Sequence, residues 1–346
     1  MTPPATTGRL ALSVVIPTRN PNQSQFDRVL RAIAAQERLP SDWELLILDN
    51  GSEPPVTVPT VAVPVRVIRE PSPGLFHARR TALMHCRGEV VVFLDDDTAP
   101  AAGSLAAVLE FMRAHADVGV AGGRINPDFA TPPPEWLETC AWALALRDWG
   151  DTPLHWRARA GDSLPPWSPI GAGLVVRNSA IPAYLAHATR YAAHIERLSW
   201  KGQGVGGTED KDLVLCLLRA GWSMAYIPTH VIYHHIPAGR LEFAYFERLL
   251  PALQRLWMRT LVAHGFCQHA PVHPWTVPLR SLKAWFVFRA WRGPRERLTW
   301  QAARGGIAGL AAAYRDHFKY DLPTNQFAPA PPPPIPRCGA SSPQSN

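Results

Sequence analysis

Glu89-Val90-Val91-Val92-Phe93-Leu94-Asp95-Asp96-Asp97-Thr98-Ala99-Pro100 decides how this chain of 346 residues is read. Its first half is an unbroken apolar run rich in β-branched residues, the pattern of a strand buried on both faces. Three carboxylates follow at the strand's C-terminal end. Pro100, which has no N–H for a ladder, is expected to end strand pairing there. Two like charges about 4 Å apart repel by roughly 4 kcal/mol at an effective dielectric of about 20. Three of them beside a buried strand therefore ask for a cation. In open α/β sheets ligands sit outside the carboxyl ends of the strands, which is where these aspartates fall. A solvated acidic turn is the competing reading, because Asp is common wherever a strand ends.

The flanking sequence favours a sheet. Residues 10–16 form a buried-strand pattern that stops at Pro17-Thr18-Arg19-Asn20. Phe26, Val29, Leu30 and Ile33 then recur at helical spacing. Residues 44–48 predict a second strand ending on Asp49-Asn50-Gly51-Ser52, and residues 65–68 predict a third. A helix containing Ala78-Arg79-Arg80 precedes the aspartate strand. Another, with Leu105, Val108, Leu109 and Met112 on one face, follows it, and residues 118–121 close the series. Strands alternating with amphipathic helices predict a parallel sheet with right-handed crossovers.

Beyond Gly123 the texture changes. Residues 127–169 hold Pro132-Pro133-Pro134 and tryptophans at 136, 142, 149, 156 and 167, with little periodicity, as in a binding loop. Those rings could stack on sugars, but packing is expected for most of them. Residues 174–177 predict a strand, 224–234 an extended run, and 241–262 a helix with a kink expected at Pro251. Gly202, Gly204 and Gly207 match the spacing of a dinucleotide loop, but no buried strand precedes them and Glu209-Asp210 sits where a phosphate would go. The loop reads instead as a mobile element beside a site. Glu209-Asp210 opens a helix. These acids could complement the helix dipole, for ~0.3–1 kcal/mol each, or one could serve as a general base. His234 becomes a metal-ligand candidate only if the fold brings it to Asp97.

Composition narrows the classes. A formal charge of +7 suits nucleotides, nucleic acid or an anionic membrane without choosing among them. The five cysteines share no close spacing, so zinc and a disulfide framework are not expected. No basic leader precedes an apolar segment, and no apolar run nears the ~20 residues of a membrane span. The expectation is a cytoplasmic protein. No nucleic-acid reading module is recognisable.

Val14-Val15-Ile16-Pro17-Thr18-Arg19-Asn20, Leu48-Asp49-Asn50-Gly51-Ser52, Gly74-Leu75-Phe76-His77-Ala78-Arg79, Phe93-Leu94-Asp95-Asp96-Asp97 and Glu209-Asp210-Lys211-Asp212-Leu213 occur together in this order. In that order they resemble the family 2 inverting glycosyltransferases. The resemblance implies the GT-A fold over residues 10–250, an α/β, Rossmann-like, mostly parallel mixed sheet flanked by helices. Residues 10–123 would form the nucleotide-binding half and 124–250 the acceptor half. A C-terminal helical extension at 251–322 and a Pro-rich disordered tail at 323–346 would follow, after a loose start at 1–9. It further implies that Pro17, Thr18, Arg19, Asp49 and Arg79 serve the nucleotide. Asp95 and Asp97 would carry the D-x-D signature, with Asp95 and Asp96 toward the donor, Asp97 and His234 on Mn²⁺ or Mg²⁺ and Asp210 as the base. The partners implied are a nucleotide-sugar donor and a saccharide or lipid-linked acceptor. Arg80 stands where the family usually has Asn. The Q-x-x-R-W element of processive members is absent, which argues for single-sugar transfer.

Other readings are weaker. A nucleotidyltransferase would need a glycine-rich, lysine-bearing loop after the first strand, where Pro17-Thr18-Arg19-Asn20 stands. An inactive membrane-surface binder would have no use for Asp97 and Asp210 together. In the last third, Leu279, Leu282, Trp285, Phe286 and Phe288 interleave with Arg280, Lys283, Arg289 and Arg292, without one clean apolar stripe. Such a segment predicts peripheral attachment through 279–304 to an anionic membrane face.

Overall fold

The computed structural model describes residues 10–58, 65–199 and 206–316. The expected loose start at 1–9, the tail at 323–346 and most of the glycine loop at 202–207 lie outside those residues. In chain order the elements are β1 (Leu10–Thr18), α1 (Gln23–Ala34), β2 (Trp43–Asp49), β3 (Val65–Arg69), α2 (Leu75–His85), β4 (Gly88–Phe93), β5 (Thr98–Pro100) and α3 (Ser104–Ala114). Then come β6 (Val118–Phe129), β7 (Leu154–Arg157), β8 (Val175–Arg177), α4 (Ile181–Arg190), α5 (Ala192–Leu198), α6 (Glu209–Arg219) and β9 (Ser223–Ile236). Three helices follow: α7 (Phe243–His264), α8 (Val277–Val287) and α9 (Pro294–Asp316).

The strands form one sheet in the order β3-β2-β1-β4-β8-β6-β9-β5, with β7 on β9. Pairing is parallel from β3 to β4 and between β6 and β9, and antiparallel at β8, β5 and β7. The sheet is thus mixed where strand alternation alone predicts a parallel one. Side-chain period explains its two cores. Val15, Leu46, Leu48, Val91 and Phe93 enter one, while Leu12, Val14, Ile16, Leu45, Ile47, Val90 and Val92 enter the other. Each such side chain stabilises the fold by about 1.5–3 kcal/mol on burial.

Two sequence expectations change. Pro100 does not end pairing, because β5 pairs through it with Ile232 of β9. As β5 is the last strand of the order, its missing N–H interrupts no further ladder. β6 also runs past Ala121, through Gly122-Gly123 and Pro127, which break the apolar pattern. At Gly123 a register shift brings β9 so close that an added Cβ would lie 1.9 Å from the His230 carbonyl. Only glycine fits there.

The C-terminal helices attach by small residues and aromatics. A Cβ on Gly305 would lie 2.4 Å from the Pro251 carbonyl, and one on Gly309 2.5 Å from that of Arg255, so α9 lies close on α7. α7 continues through Pro251 to His264. Trp136 packs edge-on against Phe243 and Phe246, and Trp300 Nε1 donates to the Ser281 carbonyl, 3.0 Å away, tying α8 to α9.

Candidate active site

At the carboxyl end of the parallel strands lies a cavity of about 330 Å³. Pro17, Thr18 and Arg19 reach it from the end of β1, Arg79 from α2, and Asp95, Asp96 and Asp97 from the end of β4. Asn50 and Gly74 also line it. The Asn50 side chain donates to the carbonyls of Glu70 and Ser72 and accepts from Gly74 N–H, 2.7 Å away, so one amide shapes the turn that enters α2. Asp49 is not among the lining residues. It is buried, accepts from Ser52 N–H at 2.7 Å and from Val56 N–H, and pairs with Arg69 at 2.7 Å, so its carboxylate organises the loop after β2.

The three aspartates differ. Thr18 donates to Asp96, whose pKa is nevertheless pushed up to about 7 by burial and by the neighbouring charges of Asp97 and Asp95. Burial also raises Asp95. Burial opposes ionisation of Asp97 too, yet His234 and Arg240 outweigh it and hold that carboxyl below its ordinary value. The β5–β9 ladder sets this contact: Thr98 is in register with His234, and His235 N–H donates to the Asp97 carbonyl at 2.9 Å. His234 Nε2 comes to 3.6 Å from Asp97 Oδ2, so the condition for a ligand pair is met. His234 Nδ1 lies 3.0 Å from the Leu144 carbonyl, an acceptor only, so Nδ1 donates there and Nε2 is the nitrogen that faces Asp97. Arg240 Nη1 lies 3.3 Å from both Asp97 Oδ2 and His234 Nε2.

A second cavity of about 470 Å³ shares Arg79, Asp95, His234 and Arg240 with the first. Asp210 lines it from the start of α6, and Trp142, Arg147, Tyr245 and Trp257 contribute from elsewhere. Asp210 Oδ2 accepts from Gly171 N–H at 2.6 Å and Oδ1 from Lys211 N–H at 2.8 Å, which fixes the carboxylate and leaves each oxygen a lone pair. Lys211 donates to both carbonyls and the hydroxyl of Ser168-Pro169, holding the loop that bears Gly171, although burial pulls its pKa down to about 7. Glu209 does more than complement a dipole. Its Oε1 accepts from Arg79 Nη1 at 2.7 Å, both side chains being buried. Burial would weaken the Arg79 charge, but Glu209, Asp210 and Asp95 outweigh that and raise its pKa. A Cβ on Gly171 would lie 2.3 Å from Arg79 Nη2, so any larger residue there would have to displace the guanidinium that Glu209 holds.

The expected residues therefore divide. Pro17, Thr18, Arg19, Arg79, Asp95, Asp96, Asp97 and His234 line the first cavity and Asp210 the second, while Asp49 sits behind the wall. Arg240, Gly171, Asn50 and Trp257 line the cavities although the sequence assigned them no role. Of the loop tryptophans, 136, 156 and 167 pack, as expected, and Trp142 faces the second cavity. Asp212, also in the first turn of α6, accepts from His187 Nε2 at 3.1 Å and His264 Nε2 at 2.9 Å. That buried cluster joins α4, α6 and α7 and borders neither cavity.

The sequence profile of Glycosyl transferase family 2 matches residues 13–158, and that of Glycosyl transferase family group 2 matches residues 90–289. No curated protein sequence matches the chain. Crystal structures of S. aureus TarS 1–349 are distantly similar. One has 13% identity and a TM-score of 0.44, covering 93% of this chain and 98% of that one. The complex with UDP has 14% identity and a TM-score of 0.46, with the same coverage of 93% and 98%. The complex with UDP-GlcNAc has 14% identity and a TM-score of 0.45, covering 90% and 93%. At that level the likeness says nothing of substrate.

Proposed function

The chain belongs to glycosyl transferase family 2, and from that premise we propose that it moves one sugar from a nucleoside-diphosphate sugar to an acceptor hydroxyl in a single inverting displacement. The observation that carries the reading is the meeting of two cavities at one wall, with Asp97 and His234 on the first and Asp210 on the second. Asp97 and His234 fit a hard divalent cation, since the Asp97 carboxylate just before β5 and Nε2 of His234 in β9 face each other across the β5–β9 ladder. They would hold Mn²⁺ or Mg²⁺, which when bound offsets the charge that builds on a diphosphate leaving group. Arg240 adds fixed positive charge beside the same place. Thr18, Arg19, Asn50 and Gly74 form the wall for the nucleotide, and Glu209 keeps Arg79 charged and in place between donor and acceptor.

Asp210 takes the proton of the acceptor hydroxyl as that oxygen bonds to the anomeric carbon and the bond to diphosphate breaks. The proton remains on the carboxyl and the nucleoside diphosphate departs. The hydrogen bonds from Gly171 and Lys211 aim the carboxylate before the acceptor arrives. Trp142 and Trp257 line the second cavity, and indoles there are suited to packing on sugar rings, which supports a saccharide or lipid-linked saccharide acceptor in surface polysaccharide or glycolipid synthesis.

The test is release of nucleoside diphosphate from a panel of sugar nucleotides, with and without Mn²⁺ or Mg²⁺, in wild type and Asp210→Asn. Wild type should turn over one donor in the presence of metal. The variant should bind that donor as well but turn over ~10²–10⁴ times more slowly. A variant that mainly loses donor binding would remove Asp210 from the base role.

A further inference from the structure

Among the described residues, seven of the twelve exposed large hydrophobic side chains fall between positions 275 and 291. Trp275 is 68% exposed, Leu279 63%, Leu282 54%, Phe286 56% and Trp291 53%. The sequence suggests no clean stripe here, but the structure resolves one. Leu279, Leu282 and Phe286 share the outer face of α8 at helical spacing, whereas Ala284 is buried and Ser281 is held by Trp300 of α9. Trp285 lies half-buried beside Phe286 and Trp291, with ring centroids 5.0 and 4.7 Å away, which stiffens the outer cluster.

Charge surrounds this face on one side of the balance. From 265 to 304 the chain has seven arginines and lysines and one acid, Glu296. Arg297 is spoken for by Glu247 at 2.7 Å and Arg295 lies 3.9 Å from Glu138, but Lys283, Arg289 and Arg292 have no acidic partner among the described residues. A face that is apolar at its crest and cationic around it needs an occupant that is apolar and anionic together.

We propose that the outer face of α8, with Trp275 and Trp291, docks on an anionic lipid bilayer, burying the aromatic and aliphatic crest at the headgroup boundary while Lys283, Arg289 and Arg292 meet lipid phosphates. A second copy of the chain fits worse, because a two-fold contact would set this cationic rim against itself. The binding is peripheral: no helix among the described residues is long and apolar enough to cross a membrane. It does not depend on the transfer reaction.

Flotation of the full chain with phosphatidylcholine vesicles, with and without phosphatidylglycerol, tests it at low and high salt. Binding should require phosphatidylglycerol and weaken in salt. Combined Lys283→Gln, Arg289→Gln and Arg292→Gln should lower partitioning by roughly a hundredfold. Combined Leu279→Ser, Leu282→Ser and Phe286→Ser, checked for unchanged circular dichroism, should abolish it. Asp210→Asn should float like wild type, which separates this outcome from failure of the proposed reaction. Absence of flotation, equal binding to neutral vesicles, or a sedimenting dimer that the serine variant disperses would each overturn the proposal.

Discussion

Leu46, Val91 and Val92 in the sheet have no solvent exposure, whereas Leu279, Leu282 and Phe286 in α8 are each more than half exposed. The residue types are nearly the same, so hydropathy does not separate the two regions. Topology does. A central strand has neighbours on both faces of the sheet, and its side chains alternate between two cores. Among the described residues α8 leans on α9 and its outer face is uncovered. Apolar sequence in the first region therefore specifies the fold, and in the second it is left over for contact.

The sharpest probe of the contrast is at the sheet's carboxyl end. Asp97→Asn keeps the shape and removes one charge beside His234, so metal-dependent turnover should fall by at least ~10³ and metal-dependent nucleotide binding should be lost, as calorimetry would report. Undiminished turnover would detach the chemistry from this edge of the sheet. Next in size, Leu46→Ala should cost about 2–5 kcal/mol in urea unfolding, because it opens a hole between packed layers.

Acid should also weaken the sheet. His230 in β9 is fully buried, lies 2.9 Å from both Ser104 Oγ and the Gly173 carbonyl, and has its pKa pulled by burial from 6.5 to about 4. The unfolded chain binds the proton first, so this contribution to stability is present above pH 6.5 and is lost as pH falls toward 4. Between pH 7 and 5 that amounts to about 2 kcal/mol. An imidazole titrating near its ordinary value by NMR would remove the effect. The smallest change should be Leu282→Ala, within about 0.5 kcal/mol, since that side chain supports nothing. A larger loss would mean that α8 is core after all.

Much of the first region is legible from sequence. The runs before Asp49 and Asp95 are strands because both faces are apolar, and Phe26, Val29, Leu30 and Ile33 bury one helix face as their spacing predicts. The site residues that could be named were those in compact local patterns. Arg240 could not be, because it reaches Asp97 only through the turn after β9. Nor could Gly171, whose closeness to the Arg79 guanidinium arises from α2, far away in the sequence. Glu209 illustrates the limit well: the local reading of an acid at a helix start was sound, yet its partner Arg79 lies 130 positions away. The pairing of Pro100 was hidden for a similar reason, since which strand lies at an edge is a property of the whole sheet.

Arg79, Asp95, His234 and Arg240 border both cavities. This common partition has a kinetic consequence. On the proposed assignment of one cavity to donor and the other to acceptor, both must be present together, and initial rates should give intersecting rather than parallel double-reciprocal lines. A spent nucleoside diphosphate would still lean on the same partition, so it should slow the next acceptor as well as the next donor. The tempo of the cycle would then follow how quickly that product clears.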